Sequence, residues 1–179
     1  MEYRLPDGSN ALREISTPAW VEPEAAGQTP MCEALRRVRD IAAAWCADPA
    51  HAESFPPIVF NITDGEASDC DQREQLAICE KIRTIGTTDG KVLLINIHIA
   101  TTSDSRSLLF PTEEEIPTDN RYARLLHDCS SPMPEELSEA IRQVRGDLAM
   151  PPFRGMSYNT SIAELIAILN IGSISIKIQ

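Results

Sequence analysis

The sequence predicts an α/β fold in which helices alternate with the strands of a mostly parallel sheet. Three observations carry that expectation. Residues 58–62, Ile-Val-Phe-Asn-Ile, form a short apolar and β-branched run that stops at Thr63-Asp64-Gly65-Glu66. Residues 92–100, Val-Leu-Leu-Ile-Asn-Ile-His-Ile-Ala, form a second such run. Amphipathic helical patterns precede the first run and separate it from the second, as crossovers between parallel strands require.

Residues 1–28 carry Pro6, Gly8, Pro18, Pro23 and Gly27. They read as an irregular lead-in, with a helical turn at residues 12–15 as the one local exception. Thr29 is placed as an N-cap and Pro30 at the first helical position. Met31, Ala34, Leu35, Val38, Ile41, Ala42 and Trp45 then recur at helical spacing, and the helix is expected to end near Asp48-Pro49.

After the first strand, Asp69 or Asp71 caps a helix through Leu76, Ile78, Cys79 and Ile82, which Gly86 ends. In the second strand, Leu93, Ile95, Ile97 and Ile99 share one face and Leu94, Asn96, His98 and Ala100 the other. A strand that apolar suits a sheet covered by helices on both sides. A short edge strand is expected at 107–110 and helices at 120–129, 134–145 and 161–170. The tail at 173–179 alternates Ile174, Ile176 and Ile178 like a strand. Only two strong strands are visible, which is few for such a sheet.

The 179 residues suffice for one domain with a real core, and 42% hydrophobic with 24% charged residues is ordinary for a globular chain. A formal net charge of −11 argues against nucleic-acid binding and against adhesion to an anionic membrane. No stretch is long and apolar enough to span a bilayer, and the first ten residues lack a signal-peptide core, so a cytoplasmic chain is expected. The five cysteines, Cys32, Cys46, Cys70, Cys79 and Cys129, show no CxxC pair. They are expected to be reduced and packed as small hydrophobes.

Two segments together resemble the von Willebrand factor type A domain in its bacterial intracellular form. One is Gly27-Gln28-Thr29-Pro30-Met31 with the helix from Cys32. The other is the strand that ends in Thr63-Asp64-Gly65-Glu66. Arg154-Gly155 through Asn159, and Leu169-Asn170-Ile171-Gly172, also look like the close of this subgroup. The resemblance implies a Rossmann-like three-layer αβα fold over residues 29–172. It also implies a protein-interaction role and a metal-ion-dependent adhesion site in which Thr29 and Asp64 are ligands.

The family's Asp-x-Ser-x-Ser motif has no counterpart here; the closest string is Thr102-Ser103-Asp104-Ser105. The chain therefore reads as the C-terminal portion of such a domain, without its N-terminal strands. Thr29 and Asp64 alone supply one hydroxyl and one carboxylate, so Mg2+ is expected to bind weakly or not at all in isolation. The partner would be a protein whose acidic side chain completes the site.

Two alternatives stand beside this binding module, which is not expected to be an enzyme. One is a truncated or split structural remnant, completed by another chain, by a dimer or by its own tail at the exposed edge of residues 58–62. The other is a metal-assisted hydrolase built on Asp64, Glu66 and Asp69, for which no oriented general base is visible. His98 lacks a companion nucleophile and reads as a packed, hydrogen-bonded histidine.

Overall fold

The computed structural model of the chain describes residues 2–4, 10–12, 27–99 and 106–174. Strands β1 (Glu2–Arg4) and β2 (Asn10–Leu12) pair antiparallel, with Tyr3 opposite Ala11. Residues 2–4 and 10–12 are thus strands where an irregular lead-in is expected, while residues 13–15 of the expected helical turn lie outside the described residues. Pro6 and Gly8, which read as loop punctuation, fall between two three-residue strands too short to show a pattern.

Helix α1 (Met31–Ala47) is followed by a 3-10 turn at Pro49–His51, strand β3 (Ile58–Thr63) and helix α2 (Gln72–Thr84). A small hairpin of β4 (Gly86–Thr87) and β5 (Gly90–Lys91) leads into β6 (Leu93–Ile99). A Cβ at Gly86 would lie 2.1 Å from the Gly90 carbonyl oxygen, so the hairpin closes only with glycine there. Then come β7 (Leu108–Leu109), α3 (Arg121–Cys129), α4 (Ser138–Arg145), β8 (Met156–Thr160) and α5 (Ile162–Ile174). The helix expected over 134–145 is a 3-10 turn at Glu135–Leu137 running into α4. Ser173 and Ile174 belong to α5 rather than to a strand, and residues 175–179 of the expected tail strand lie outside the described residues, as does the 102–105 string.

The main sheet has the order β3-β6-β8-β7. The first three strands are parallel, and β7 adds antiparallel at one edge. The chain is thus α/β with a mostly parallel sheet, compatible with a Rossmann-like fold. Strand β8 was not expected. Its sequence, Met-Ser-Tyr-Asn-Thr, lacks an apolar run, yet Ser157 and Thr160 are fully buried because their hydroxyls bond to each other.

Each sheet face carries its own core. Val59, Leu94 and Met156 pack against Leu35 of α1, Ile78 and Ile82 of α2, and Leu126 of α3. Ile95 and Ile97 pack on the other face against Ile141 of α4 and Ile168 and Ile171 of α5. Burial of side chains of this size stabilises by roughly 1.5–3 kcal/mol each. A polar ladder crosses the first face. The Asn61 amide donates to the Asn96 Oδ1 (2.9 Å), the Asn96 amide to the Ser130 Oγ (2.9 Å), and the Ser130 hydroxyl to the Leu126 carbonyl (2.6 Å).

Among the described residues, no strand pairs with the outer edge of β3. The α1 layer leaves apolar side chains in the open beside it. Val38, Trp45, Phe55 and Ile58 line a groove of about 570 Å³ between α1 and β3. Ile41 of α1 is 69% exposed and Ile62 of β3 45%.

Candidate functional site

In open α/β sheets, ligands bind beyond the carboxyl ends of the parallel strands. Here that rim is formed by Thr63 and Asp64 after β3, His98 on β6, and Asn159 and Thr160 on β8. The turn after β3 is closed locally. The Thr63 hydroxyl donates to the Gly65 carbonyl (2.7 Å) and accepts from the Gly65 N–H (3.1 Å), while the Tyr122 hydroxyl donates to the same carbonyl (2.5 Å). Asp64 is left exposed at the rim.

Asp64 acts on His98. Burial pushes the His98 imidazole below the ordinary histidine range, and the Asp64 carboxylate and backbone carbonyl act against that shift. The ring stacks on Tyr158 (centroids 4.5 Å apart) and meets Tyr122 edge-on (5.7 Å). Its Nδ1 accepts the Asn159 N–H at 3.3 Å. Asn159 reaches that position with φ of 55°, the left-handed region that asparagine tolerates better than most residues. Burial likewise drives the Tyr122 hydroxyl far above its usual range. This packed cluster of histidine and two tyrosines was not foreseen, because Tyr122 and Tyr158 come from elements far apart in sequence.

Thr29 is half-buried in the loop before α1, but it is not the cap of that helix. Its backbone N–H donates to the Ser68 Oγ (2.9 Å) and its carbonyl accepts the Ser68 N–H (3.0 Å). The cap comes from Asp69, whose two carboxylate oxygens accept the backbone N–H groups of Cys32 (3.0 Å) and Glu33 (2.8 Å). Pro30 occupies the N-cap position and has no side-chain acceptor, so the helix start takes one from the loop after β3. Of the two capping candidates for α2, Asp71 takes that place, accepting the Glu74 N–H (2.8 Å). Burial opposes ionisation of Asp69, yet the N–H bonds from Cys32 and Glu33 outweigh it and hold the carboxyl below the usual carboxylate range.

The cysteines depart from expectation at the same place. Cys32 and Cys70 are joined in a disulfide across 38 residues, with Cα atoms 6.2 Å apart. Sequence spacing gave no sign of the pair, because only the fold-back of the 64–71 loop onto α1 brings the two together. Cys46, Cys79 and Cys129 are free.

The structure therefore brings the Thr29 loop against Ser68, four residues beyond Asp64, and fastens the two loops together. It does not gather the acids. Asp69 is committed to capping, and Asp64 and Glu66 stay exposed. Among the described residues, the one group of metal-capable side chains within 4.8 Å of one another is Cys32, Asp69 and Cys70, and its two sulfurs are bonded to each other. The two expected ligands, Asp64 and Thr29, supply one carboxylate and one hydroxyl. Their chemistry suits Mg2+, but their charge and number do not fit a resident ion. A groove of about 850 Å³ between Phe55, Lys91 and Met133 lies away from this rim, near the opposite ends of β3 and β6.

No family model matches the chain, and comparison with curated proteins and with solved structures finds no match either. Among the described residues, no helix is long and apolar enough to cross a membrane.

Proposed function

We propose that the chain is a protein-interaction module of the von Willebrand factor type A class that works through the open edge of β3. The observation that carries this reading is the combination at that edge: among the described residues the strand is bonded on one side only, and the exposed Ile41 of α1 and Ile62 of β3 itself lie beside it. A strand with unpaired backbone groups and exposed apolar side chains at a sheet edge invites addition of a further strand. The occupant is an extended segment of another protein, with β-branched apolar residues on both faces. Its backbone would bond to β3, and its side chains would enter the groove beside Ile41 on one face and pack against Ile62 on the other.

The class assignment rests on the Gly-x-Thr-Pro and Thr-Asp-Gly-Glu strings, and the parallel order β3-β6-β8 is compatible with it. In this reading Asp64 and Thr29 stand at the carboxyl end of the same edge, where an acidic residue of the partner would share Mg2+ with them. The isolated chain binds that ion weakly, and it binds rather than turns over. The cytoplasm is the compartment that fits, and the Cys32–Cys70 bond would be transient there.

A seven-residue peptide of alternating Val and Ile, flanked by lysines to suit the net charge of −11, is the probe. Titrated into the full chain by calorimetry, it is expected to bind to wild type and to lose at least tenfold in affinity with Ile62→Lys. Equal binding by both, or none by wild type, would count against the edge as the working surface. Asp64→Ala separates the metal from the edge: it should abolish any Mg2+ dependence of binding and leave the metal-free affinity unchanged.

A further inference from the structure

We propose that Cys32 and Cys70 form a thiol–disulfide exchange site that latches the 64–71 loop to the start of α1, with small cellular thiols as its reactants. The two sulfurs are unequally placed. Cys32 is fully buried in the first turn of α1, whereas Cys70 is only partly buried in the loop that leads into α2. Of the two, Cys70 is the more open to an incoming thiolate. Its attack forms a mixed disulfide at Cys70, breaks the Cys32–Cys70 bond and sends the electron pair to the Cys32 Sγ. That leaving thiolate lies at a helix N-terminus, where peptide dipoles favour negative charge. A second thiolate attacks the small-molecule sulfur of the mixed disulfide and releases the Cys70 thiolate. The balance is two thiols oxidised to one disulfide, and one protein disulfide reduced to two thiols that take up the two protons.

The remaining cysteines do not compete. Cys79 of α2 and Cys129 of α3 are both fully buried. Cys46 lies fourteen residues further along α1 than Cys32, which is about 21 Å of helix.

Opening the latch has a defined local consequence. With the bond closed, four hydrogen bonds and one covalent link hold the loop: Asp69 to Cys32 and Glu33, the reciprocal pair between Thr29 and Ser68, and the disulfide. After reduction only the hydrogen bonds remain, and their loop-side partners, Ser68 and Asp69, are exposed. The loop that carries Asp64 is thereby loosened from the loop that carries Thr29. The latch does not depend on the β3 edge being the working surface.

The full chain is treated with reduced and oxidised glutathione at set ratios and followed by mass spectrometry and peptide-level hydrogen exchange. In the Cys32→Ser variant, glutathione is expected on Cys70 and not on Cys46. In wild type, reduction should speed exchange across 64–71 at least tenfold and leave the β6 core unchanged. Glutathione on Cys46 in preference to Cys70, or equal exchange across 64–71 in both redox states, would overturn the proposal. So would Zn2+ uptake by the reduced pair that keeps the loop protected, because the latch would then hold in both states.

Discussion

Asp69 accepts the backbone N–H of Cys32 at 3.0 Å, so a residue 37 positions away supplies the cap that the start of α1 lacks. The same carboxylate takes the Glu33 N–H, and the neighbouring Cys70 is bonded to Cys32. One short loop thus caps a helix, cross-links it and sets Asp64 at the carboxyl end of β3.

Asp69→Ala is expected to cost about 1–2 kcal/mol of stability, the usual loss for a helix cap, measured by urea unfolding. Asp69→Asn should recover much of it, because the amide oxygen still accepts an N–H. Since the folded carboxyl is held below its ordinary range, its contribution is present above that range and is lost as pH falls through the lowered value. The difference between wild type and Asp69→Ala should therefore shrink in acid.

The cross-link closes a 38-residue separation, which by chain entropy alone corresponds to about 3–4 kcal/mol. The double variant Cys32→Ser, Cys70→Ser should lose about that much in urea, and reduced wild type should match it. Unchanged stability after reduction would show that the pair is not bonded in solution.

Arg145 joins four groups at the end of α4. It bonds Glu115 (2.7 Å) and Asp147 (2.8 Å), and it donates to the carbonyls of Leu109 (2.8 Å) and Phe110 (2.9 Å). Its side chain is 5% exposed and lies over the Phe153 ring. Arg145→Ala is expected to cost about 2–4 kcal/mol, since the two carbonyls lose a charged donor. Arg145→Lys should rescue little of this, because one ammonium cannot serve a fork of four acceptors. Arg145 holds the Glu115 and Asp147 carboxyls below their usual range, so the stabilisation is present above that range and disappears as pH falls through the lowered values. The variant should show a flatter acid limb in thermal melts.

His98 gives a second pH dependence in a different window. Its folded pKa is depressed by burial, while the unfolded side chain takes a proton near pH 6.5. Stability should therefore fall as pH drops through that range, by at most about 1.4 kcal/mol per pH unit, and level off below the folded value. Asp64, Tyr122 and Tyr158 are the titratable groups that bear on the ring. In His98→Phe the slope between pH 7 and 5 should flatten, and in Asp64→Asn it should steepen because the opposing charge is gone.

The elements that could be read from sequence are those whose signal is local. β3 and β6 are dense apolar runs, α2 carries its own cap in Asp71, and β7 appeared as a short edge. β8 escaped because its buried positions are polar and satisfied by each other, which no hydropathy pattern reveals. The cap of α1, the Cys32–Cys70 bond and the His98–Tyr158 stack all join residues more than thirty positions apart. Each needs the parallel sheet before it exists. The α1 periodicity was visible, but on that face Ala34 and Ile41 are exposed and Val38 and Trp45 only half-buried. At the site, Asp64 and Thr29 were legible as loop residues at the ends of elements, while the partners they have, His98 and Ser68, were not.

The most direct test of the open edge is hydrogen exchange on β3 at single-residue resolution, in the monomeric chain. Alternate amides of Ile58–Thr63 bond to β6, and the others point outward. The account predicts an alternating pattern, with the outward amides exchanging at least a hundredfold faster than their neighbours and becoming protected when the Val/Ile peptide is added. Protection of all six β3 amides in the free monomer would contradict it, because the edge would already be filled.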